Sequence, residues 1–168
     1  MSDVADFRKE KDELFGTTDD SPLTNEQKSG FGGLKYFPEN EKFKFEATIE
    51  KLKDGGDIDI KTSAGDTEKY SRYGKIKFEL NGSKQSLHVY ESSNSDHLFL
   101  PFRDISNRQE TYHDGRYVEI EEECGKVDLD FNYAYNPYCA YNNNFRCPIT
   151  PEENTLDIDI KAGEKRYH

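Results

Sequence analysis

Residues that could bind or transform a ligand are concentrated in the second half of the chain. Arg103, Glu110, Arg116 and Asp130 supply charge there, and residues 127–148, VDLDFNYAYNPYCAYNNNFRCP, supply aromatic rings, asparagines and two cysteines but no lysine. An arginine can hold an anionic group through its planar fork, and a carboxylate can act as an acid or a base. This region therefore contains the residue types of a binding site or of a small hydrolase site.

The composition of residues 127–148, which we call the aromatic stretch, favours a binding surface. Tyrosine supplies rigid area with a polar tip, and asparagine supplies paired donors and acceptors. Such a surface suits a polar, uncharged ligand such as a sugar or a peptide backbone, although the chain has no tryptophan, which weakens the sugar hypothesis. The structural alternative is a long ordered loop whose amides satisfy its own backbone, as the turn signal at Asn136-Pro137 indicates.

Arg116 stands out because of the side of its strand on which it falls. In RYVEIEEE the residues alternate, so Arg116 shares the inner face with Val118 and Ile120. A buried guanidinium needs a carboxylate or several carbonyls, and we consider Asp104, Glu110 and Asp130 as partners. The preferred interpretation is a strut that locks the end of the sheet, and the alternative is a clamp for an anionic ligand group.

The cysteines do not form a recognisable metal signature. Cys139 and Cys147 are separated by seven intervening residues, without the second closely spaced pair that a structural zinc site requires, and the four histidines are scattered. We therefore predict no metal and no cofactor. Buried free thiols are the preferred interpretation, a disulfide is the alternative if the chain is exported, and a nucleophilic Cys139 would need His113 or Arg146 nearby.

Several motifs resemble one uncharacterised protein family. They are PFRD, ETY followed by GRY, DFNYAYNPYCAY, the Cys147-Pro148 pair, EEN at 152–154 and AGEK at 162–165. Together they look like the family known as domain of unknown function 1684 (DUF1684), with a match from about Phe7 to Lys165. The resemblance implies no activity, because none is assigned to the family. One departure is the turn at His113-Asp114-Gly115, where the family pattern is usually rich in glycine.

Two functions from different classes are compatible with these residues. The first is a non-catalytic module that binds a small polar ligand or a protein partner. The second is a small hydrolase that uses Asp130 or Glu110 with an arginine holding an anion. The first is preferred because no nucleophile–base pair, phosphate loop or metal motif can be recognised. The predicted ligand-binding residues are Arg103, Glu110, Tyr112, Arg116, Asp130, Asn132, Tyr135, Asn136 and Tyr141.

A helix and a series of strands must position these residues. Val4, Phe7, Leu14 and Phe15 fall on one face of a helix predicted over residues 3–15, capped by Ser2 or Asp3 and stopped by Gly16. Thr24 and Gln27 form a capping-box pair that opens a short second helix. After residue 42 the apolar period changes from 3.6 to 2, which indicates strands.

The strand pattern predicts a mainly β fold. Asn81-Gly82 is a strong signal for a two-residue hairpin turn, because a type I′ turn needs positive φ at both residues. Residues 98–102, LFLPF, are apolar on both faces and are expected to lie centrally, with a bulge or strand end at Pro101. We predict a single domain over residues 1–168 whose β region, residues 42–161, is an antiparallel barrel or sandwich of seven to eight strands. The remaining predicted strands are KFKFEATIE, DIDIK, GKIKFEL, SLHVY, VDLDF and LDIDIK.

Composition excludes some partners. The formal charge of −11 and the pI near 4.9 disfavour nucleic acid and anionic membrane surfaces, which attract clustered lysine and arginine. No apolar run is long enough to span a membrane, and the acidic N-terminal residues do not resemble a signal peptide. We therefore expect a cytoplasmic protein that binds neither nucleic acid nor membrane.

Overall fold

The computed structural model describes residues 3–168 and has two helices followed by nine strands. The helices are α1 (Asp3–Thr17) and α2 (Asn25–Ser29). The strands are β1 (Lys44–Lys51), β2 (Asp57–Lys61), β3 (Thr67–Leu80), β4 (Ser83–Ser92), β5 (Ser95–Phe99), β6 (Pro101–Phe102), β7 (Arg116–Tyr117), β8 (Glu122–Glu123) and β9 (Lys126–Asp130). Neither helix has the length and apolar character needed to cross a lipid bilayer, within the residues described.

Seven of the strands form one antiparallel sheet. Its order is β5-β4-β3-β1-β9-β8, and β2 pairs with the first part of β3. Because β3 is 14 residues long, one of its edges accommodates both β2 and β1. The short strands β6 and β7 form a separate ribbon. The prediction of an antiparallel, mainly β fold with an N-terminal helix is confirmed, and the sheet remains open rather than closing into a barrel.

The predicted alternation sets the register of the central strands. Ile76 pairs with Leu87, and neither side chain is exposed. The turn between β3 and β4 has φ of 52° at Asn81 and 81° at Gly82, as the predicted type I′ hairpin requires. A slip of one residue would turn the apolar side chains of β3 and β4 toward water, so burial and turn chemistry specify the same pairing.

The predicted central position of residues 98–102 is wrong. The segment is divided: β5 lies at the end of the sheet, and Pro101 begins β6, which pairs with β7. Proline cannot donate to a ladder, so the chain leaves the sheet at this point. Leu100 and Phe102 are nevertheless fully buried, because the ribbon and the C-terminal residues cover them.

LDIDIK, predicted as a strand, is irregular in the structure. The backbone N–H of Leu156 donates to the carbonyl of Arg103, whereas that of Ile160 donates to the Asp104 carboxylate. Leu156 and Ile160 are buried as the alternation predicts. The alternating pattern thus identified the buried side chains correctly. No strand forms, because at Ile160 the Asp104 carboxylate accepts the backbone hydrogen bond that a neighbouring strand would otherwise accept.

Helix α1 packs by its ends rather than along a complete apolar face. Val4 and Phe15 are buried, whereas Leu14, predicted to lie on the same helix face, is 37% exposed. The helix continues past the predicted stop at Gly16 to Thr17, and the predicted cap at Ser2 lies outside the described residues. The capping box of α2 is confirmed, since the side chain of Thr24 accepts from Gln27 N–H and Gln27 accepts from Thr24 N–H.

Candidate functional site

A groove of about 800 Å³ lies between α1 and the aromatic stretch. Helix α1 forms one wall, tyrosines that follow β9 form the other, and outward-facing residues of β1 and β9 close its base. The lining residues are Phe7, Glu10, Lys11, Leu14, Phe15, Lys44, Glu119, Asp128, Asp130, Tyr133, Tyr135 and Tyr138. Its volume is that of a small-molecule site, and its lining mixes rings with a few charged groups, as such sites do.

Helix spacing explains the first wall. Phe7, Lys11 and Leu14 are separated by four and three residues, so they lie on one side of α1. The ring of Phe7 meets that of Tyr133 edge-on with 5.1 Å between centroids. Phe15 contacts Tyr138 in the same manner at 6.1 Å. Edge-to-face contacts of this kind are favourable for aromatic pairs, so they hold the two walls together and leave ring surface facing the groove.

Carboxylates dominate the charge of the groove. Glu10, Glu119, Asp128 and Asp130 stand against two ammonium groups, those of Lys11 and Lys44. None of the four carboxylates takes part in a salt bridge with another of the described residues. The Lys11 ammonium is occupied by a different acid, Glu164, at 2.7 Å. The lining therefore presents a net negative surface.

Two lining residues are fixed by hydrogen bonds. The Tyr135 hydroxyl donates to Glu119 Oε1 at 2.6 Å, and burial together with that carboxylate raises the pKa of Tyr135. Asp130 accepts from the backbone N–H and the side-chain amide of Asn132, each at 2.9 Å. This carboxylate caps the short 3₁₀ helix Phe131–Tyr133, so it also sets the direction in which Tyr133 leaves the strand.

Beneath the groove, Glu164 forms a buried polar centre. Its Oε1 accepts from Lys11, and its Oε2 accepts from the Asn136 amide at 2.9 Å and from the Tyr141 hydroxyl. The carboxylate is fully buried, and burial followed by the charge of Glu164 raises the pKa of Tyr141. Three donors compensate the desolvation of this carboxylate, and they tie α1, the aromatic stretch and the C-terminal residues together.

Arg116 forms a second buried centre and has no exposed surface. Its guanidinium donates to the carbonyls of Ile160, Ala162 and Glu164 and to Asp104 Oδ1, the last at 3.4 Å. Phe102 covers one face of the guanidinium at 5.0 Å. Burial lowers the pKa of Arg116, and Asp104 opposes that effect. These contacts are those expected of the strut, with Asp104 as its carboxylate partner.

The structure does not bring the predicted binding residues into one site. Asp130 and Tyr135 line the groove. Arg116, Asn132, Asn136 and Tyr141 are buried and hold the protein together from within. Arg103, Glu110 and Tyr112 lie elsewhere: Arg103 faces Asp114 at 3.6 Å, Glu110 faces Lys161 at 3.3 Å, and the Tyr112 hydroxyl contacts the Cys139 sulfur at 3.6 Å.

Other groove residues were not predicted as site residues. Lys11 and Glu164 lie far apart in sequence, and nothing in their local pattern connects them. Phe7 and Leu14 were predicted only to share the apolar face of the helix, although a helix that places Lys11 between them on that face indicates an amphipathic wall. Three or more histidine, cysteine, aspartate or glutamate side chains arranged to hold a metal ion do not occur among residues 3–168.

Comparison with known proteins places the chain among relatives. A family model described as a protein of unknown function (DUF1684) matches residues 29–165. The chain is also similar to the solution NMR structure of an uncharacterized protein from Haloarcula marismortui, with 35% sequence identity, a TM-score of 0.72, and coverage of 96% of this chain and 91% of that one. No curated protein matches the chain. The family match includes the tyrosine wall of the groove but begins after α1.

Proposed function

This chain belongs to the DUF1684 family of proteins of unknown function, and we propose that it is a non-catalytic module that binds a small organic cation in the groove between α1 and the aromatic stretch. The observation that carries the proposal is the combination of aromatic walls with four carboxylates that form no salt bridge with any of the described residues. The ligand class differs from the uncharged ligand expected from composition alone, because the groove adds Glu10 of α1 and Glu119 to the two carboxylates, Asp128 and Asp130, that the aromatic stretch itself supplies.

Charge favours a cation. With Lys11 held by Glu164, Lys44 is the one remaining ammonium in the lining, opposite four carboxylates. The whole chain carries a formal charge of −11, so its field also attracts cations toward the groove. Phosphate or carboxylate ligands would meet repulsion from the lining, and no arginine belongs to it. An alkylammonium group is the simplest partner for such a surface.

The aromatic walls favour an organic cation over a metal ion. Ammonium and guanidinium groups are attracted to ring faces within about 6 Å. Lys11 demonstrates the geometry inside the groove, since its ammonium lies 5.1 Å from the Tyr135 ring and 5.4 Å from the Phe15 ring. A ligand that carries both an alkyl body and an ammonium group would contact rings and carboxylates together.

A binding role is better supported than the hydrolase alternative. That alternative pairs Asp130 or Glu110 with an arginine that holds an anion. Asp130 lies in the groove without an arginine in the lining, and Glu110 is paired with Lys161 outside it. Arg116 could reach a ligand only if its carbonyl contacts opened.

An NMR titration tests the proposal directly. We expect 1,4-diaminobutane to shift backbone amide signals of α1 and of residues 128–138 in a saturable manner, because those segments line the groove. The matched neutral probe 1,4-butanediol has the same chain length and should leave these signals unchanged. Saturable shifts with both probes, or shifts by the diamine spread over the whole acidic surface, would contradict a cation-binding groove.

Substitution of the groove carboxylates tests whether they contribute to the affinity for the cation. The double variant Glu10→Gln, Asp128→Asn removes two groove carboxylates, and we expect the affinity for 1,4-diaminobutane to fall roughly tenfold if each contributes up to about 1 kcal/mol. The matched control, Asp59→Asn with Glu79→Gln, removes two exposed carboxylates from β2 and β3 outside the groove. Equal losses of affinity in the two double variants would assign the effect to net charge rather than to the groove.

A further inference from the structure

The two cysteines of the aromatic stretch meet each other in space. Cys139 lies in the 3₁₀ helix Tyr138–Ala140, and Cys147 lies beyond the following loop. The backbone N–H of Cys139 donates to the Cys147 sulfur at 3.3 Å. Both cysteines are free thiols. The intervening loop therefore brings the Cys147 sulfur back to the backbone of Cys139, so the two cysteines are neighbours in space.

Neighbouring polar groups hold this pair in place. The Cys147 N–H donates to the Ser63 hydroxyl at 3.0 Å, and the Cys147 carbonyl accepts from Ser63 N–H at 2.9 Å. These bonds attach Cys147 to the turn between β2 and β3. On the other side, the Tyr112 hydroxyl lies 3.6 Å from the Cys139 sulfur. Both sulfurs are therefore positioned by backbone or side-chain contacts rather than by apolar packing alone.

The environment makes the two thiols unequal. Hydrogen bonding from Cys147, assisted by Tyr112, lowers the pKa of Cys139 to about 6, although burial opposes it. The same contact with Cys139 and burial raise the pKa of Cys147. A thiolate is the nucleophilic form of cysteine, so Cys139 is suited to attack and Cys147 to remain protonated until a second step.

We propose that Cys139 and Cys147 form a reactive dithiol site that reduces a small hydroperoxide and closes into a disulfide. The Cys139 thiolate attacks one peroxide oxygen; the O–O bond breaks, an S–O bond forms, and the leaving oxygen takes a proton and departs as water or an alcohol. The Cys147 sulfur then attacks the Cys139 sulfur; the S–O bond breaks, the S–S bond forms, and the hydroxide departs as water with the Cys147 proton. Two thiols give two electrons to one peroxide.

Limited exposure selects the oxidant. Cys139 is 9% and Cys147 8% exposed, so a reagent the size of hydrogen peroxide reaches them more readily than a bulky disulfide. The third thiol, Cys124, is exposed and lies in the turn between β8 and β9. It provides an internal control, because exposure alone would favour its oxidation over that of the buried pair.

Peptide mapping tests the proposal on the unmodified protein. The three cysteines fall in separate tryptic peptides, residues 117–126, 127–146 and 147–161. Reduced protein is exposed to hydrogen peroxide, its remaining thiols are alkylated, and the digest is analysed by mass spectrometry. We expect the second and third peptides to appear cross-linked and two hydrogen masses lighter, with the link removed by dithiothreitol. Cys124 should remain in its alkylated peptide.

Two outcomes would overturn the proposal. One is oxidation of Cys124 at peroxide doses that leave Cys139 and Cys147 fully alkylatable. The other is conversion of Cys139 to sulfinic or sulfonic acid without a cross-link, which would mean that Cys147 does not reach it. In Cys147→Ser we expect Cys139 to stop at the sulfenic acid and to be trapped by dimedone, whereas in Cys139→Ser the Cys147 thiol should stay unoxidised.

Discussion

Arg116 places a permanent positive charge in a part of the core that has no exposed surface. Three carbonyls and the Asp104 carboxylate compensate for the lost water, and Asp104 in turn accepts from Ser106 and from the N–H of Ile160. The side chain thus organises the irregular C-terminal segment around itself. If one of these buried groups is removed, its former partner remains buried without a hydrogen bond or counter-charge. The resulting loss of stability is larger than the stabilisation that the complete arrangement provides.

We predict that Arg116→Ala destabilises the protein by roughly 3–5 kcal/mol, since Asp104 would remain buried without its counter-charge. For a chain of this size that corresponds to a decrease in Tm of about 6–20 °C. Arg116→Lys should also destabilise, because lysine keeps the charge but cannot reach several carbonyls with one planar fork. Chemical denaturation measures both variants. An Arg116→Ala protein that melts within a degree or two of the wild type would show that Arg116 is not a strut.

At the scale of elements, the 3₁₀ helix Glu152–Asn154 links the sheet to the C-terminal segment. The Asn154 amide donates to the carbonyls of His88 and Pro101, each at 2.8 Å. Glu153 accepts from Arg72 and, at 2.6 Å, from the Tyr90 hydroxyl. A turn of three residues thereby connects the paired strands β3 and β4 to the start of β6, which pairs with neither of them.

The same link makes stability depend on pH. Burial lowers the pKa of His88 below its usual 6.5. As the pH drops below 6.5, His88 therefore becomes protonated in the unfolded chain before it does in the folded protein, and the free energy of unfolding decreases. Burial opposes ionisation of Glu153, but hydrogen bonds from Arg72 and Tyr90 outweigh it and lower the pKa of Glu153 below 4.5. That contribution is present above pH 4.5 and is lost below it, so both groups act in the same direction.

We predict that the free energy of unfolding decreases from pH 7 to pH 4, and that His88→Gln reduces the part of this decrease between pH 6.5 and 5. The change should be about 1 kcal/mol or less, because the His88 side chain is still partly hydrated. His97→Gln is the matched control, since His97 is exposed on β5. Urea denaturation at each pH measures the slopes. Identical slopes for His88→Gln and the wild type would exclude His88 as a source of the pH dependence.

The strands could be predicted from sequence because burial and turn chemistry agree there. The alternation of Ile76 and Phe78 and the Asn81-Gly82 turn independently specify the same register. Prediction failed where a side chain replaces a strand partner, as Asp104 does for Ile160. It also failed for the position of residues 98–102: the strand end expected at Pro101 is present, but the chain leaves the edge of the sheet there instead of lying in its centre. Such replacements depend on tertiary contacts, and local periodicity carries no information about them.

The candidate site was less predictable than the fold. Arg116 was recognised because an arginine on an apolar strand face contradicts the local pattern. Glu164 gave no such signal, since it follows a glycine in an irregular segment where an acid is unremarkable. The groove depends on how α1 meets the aromatic stretch, and this is a contact between residues more than 100 positions apart, such as Phe7 and Tyr133.

At the scale of the whole molecule, the beginning and the end of the described chain are joined. Lys11 contacts Glu164, the N–H of Phe37 donates to Gly163 at 2.9 Å, and that of Lys165 donates to Lys35 at 2.8 Å. Gly163 has φ of +80°, and a Cβ there would lie 2.7 Å from the Phe131 carbonyl. The C-terminal segment is therefore inserted between the helical region and the sheet.

We predict that Lys11→Met destabilises the protein by a few kcal/mol, because the Glu164 carboxylate then keeps only neutral donors in a buried position. Glu164→Gln should cost less, since the amide retains an oxygen acceptor and Lys11 is close enough to the surface to be hydrated. Lys9→Met, at an exposed position of the same helix, is the control. Thermal denaturation compares the three. The prediction fails if Lys11→Met is no more destabilising than Lys9→Met.

The insertion of residues 160–164 also has a consequence for protein synthesis. The strands are synthesised first. The carbonyls that accept hydrogen bonds from Arg116 and the carboxylate that accepts from Lys11 belong to residues that are translated after all the strands. A nascent chain that stops before residue 160 holds Arg116 without its three carbonyl acceptors and Lys11 without its carboxylate, so its sheet cannot reach the native packing while it is being made. Folding of this protein should be completed only after residue 164 has left the ribosome, and ribosome-bound chains arrested earlier should remain sensitive to protease.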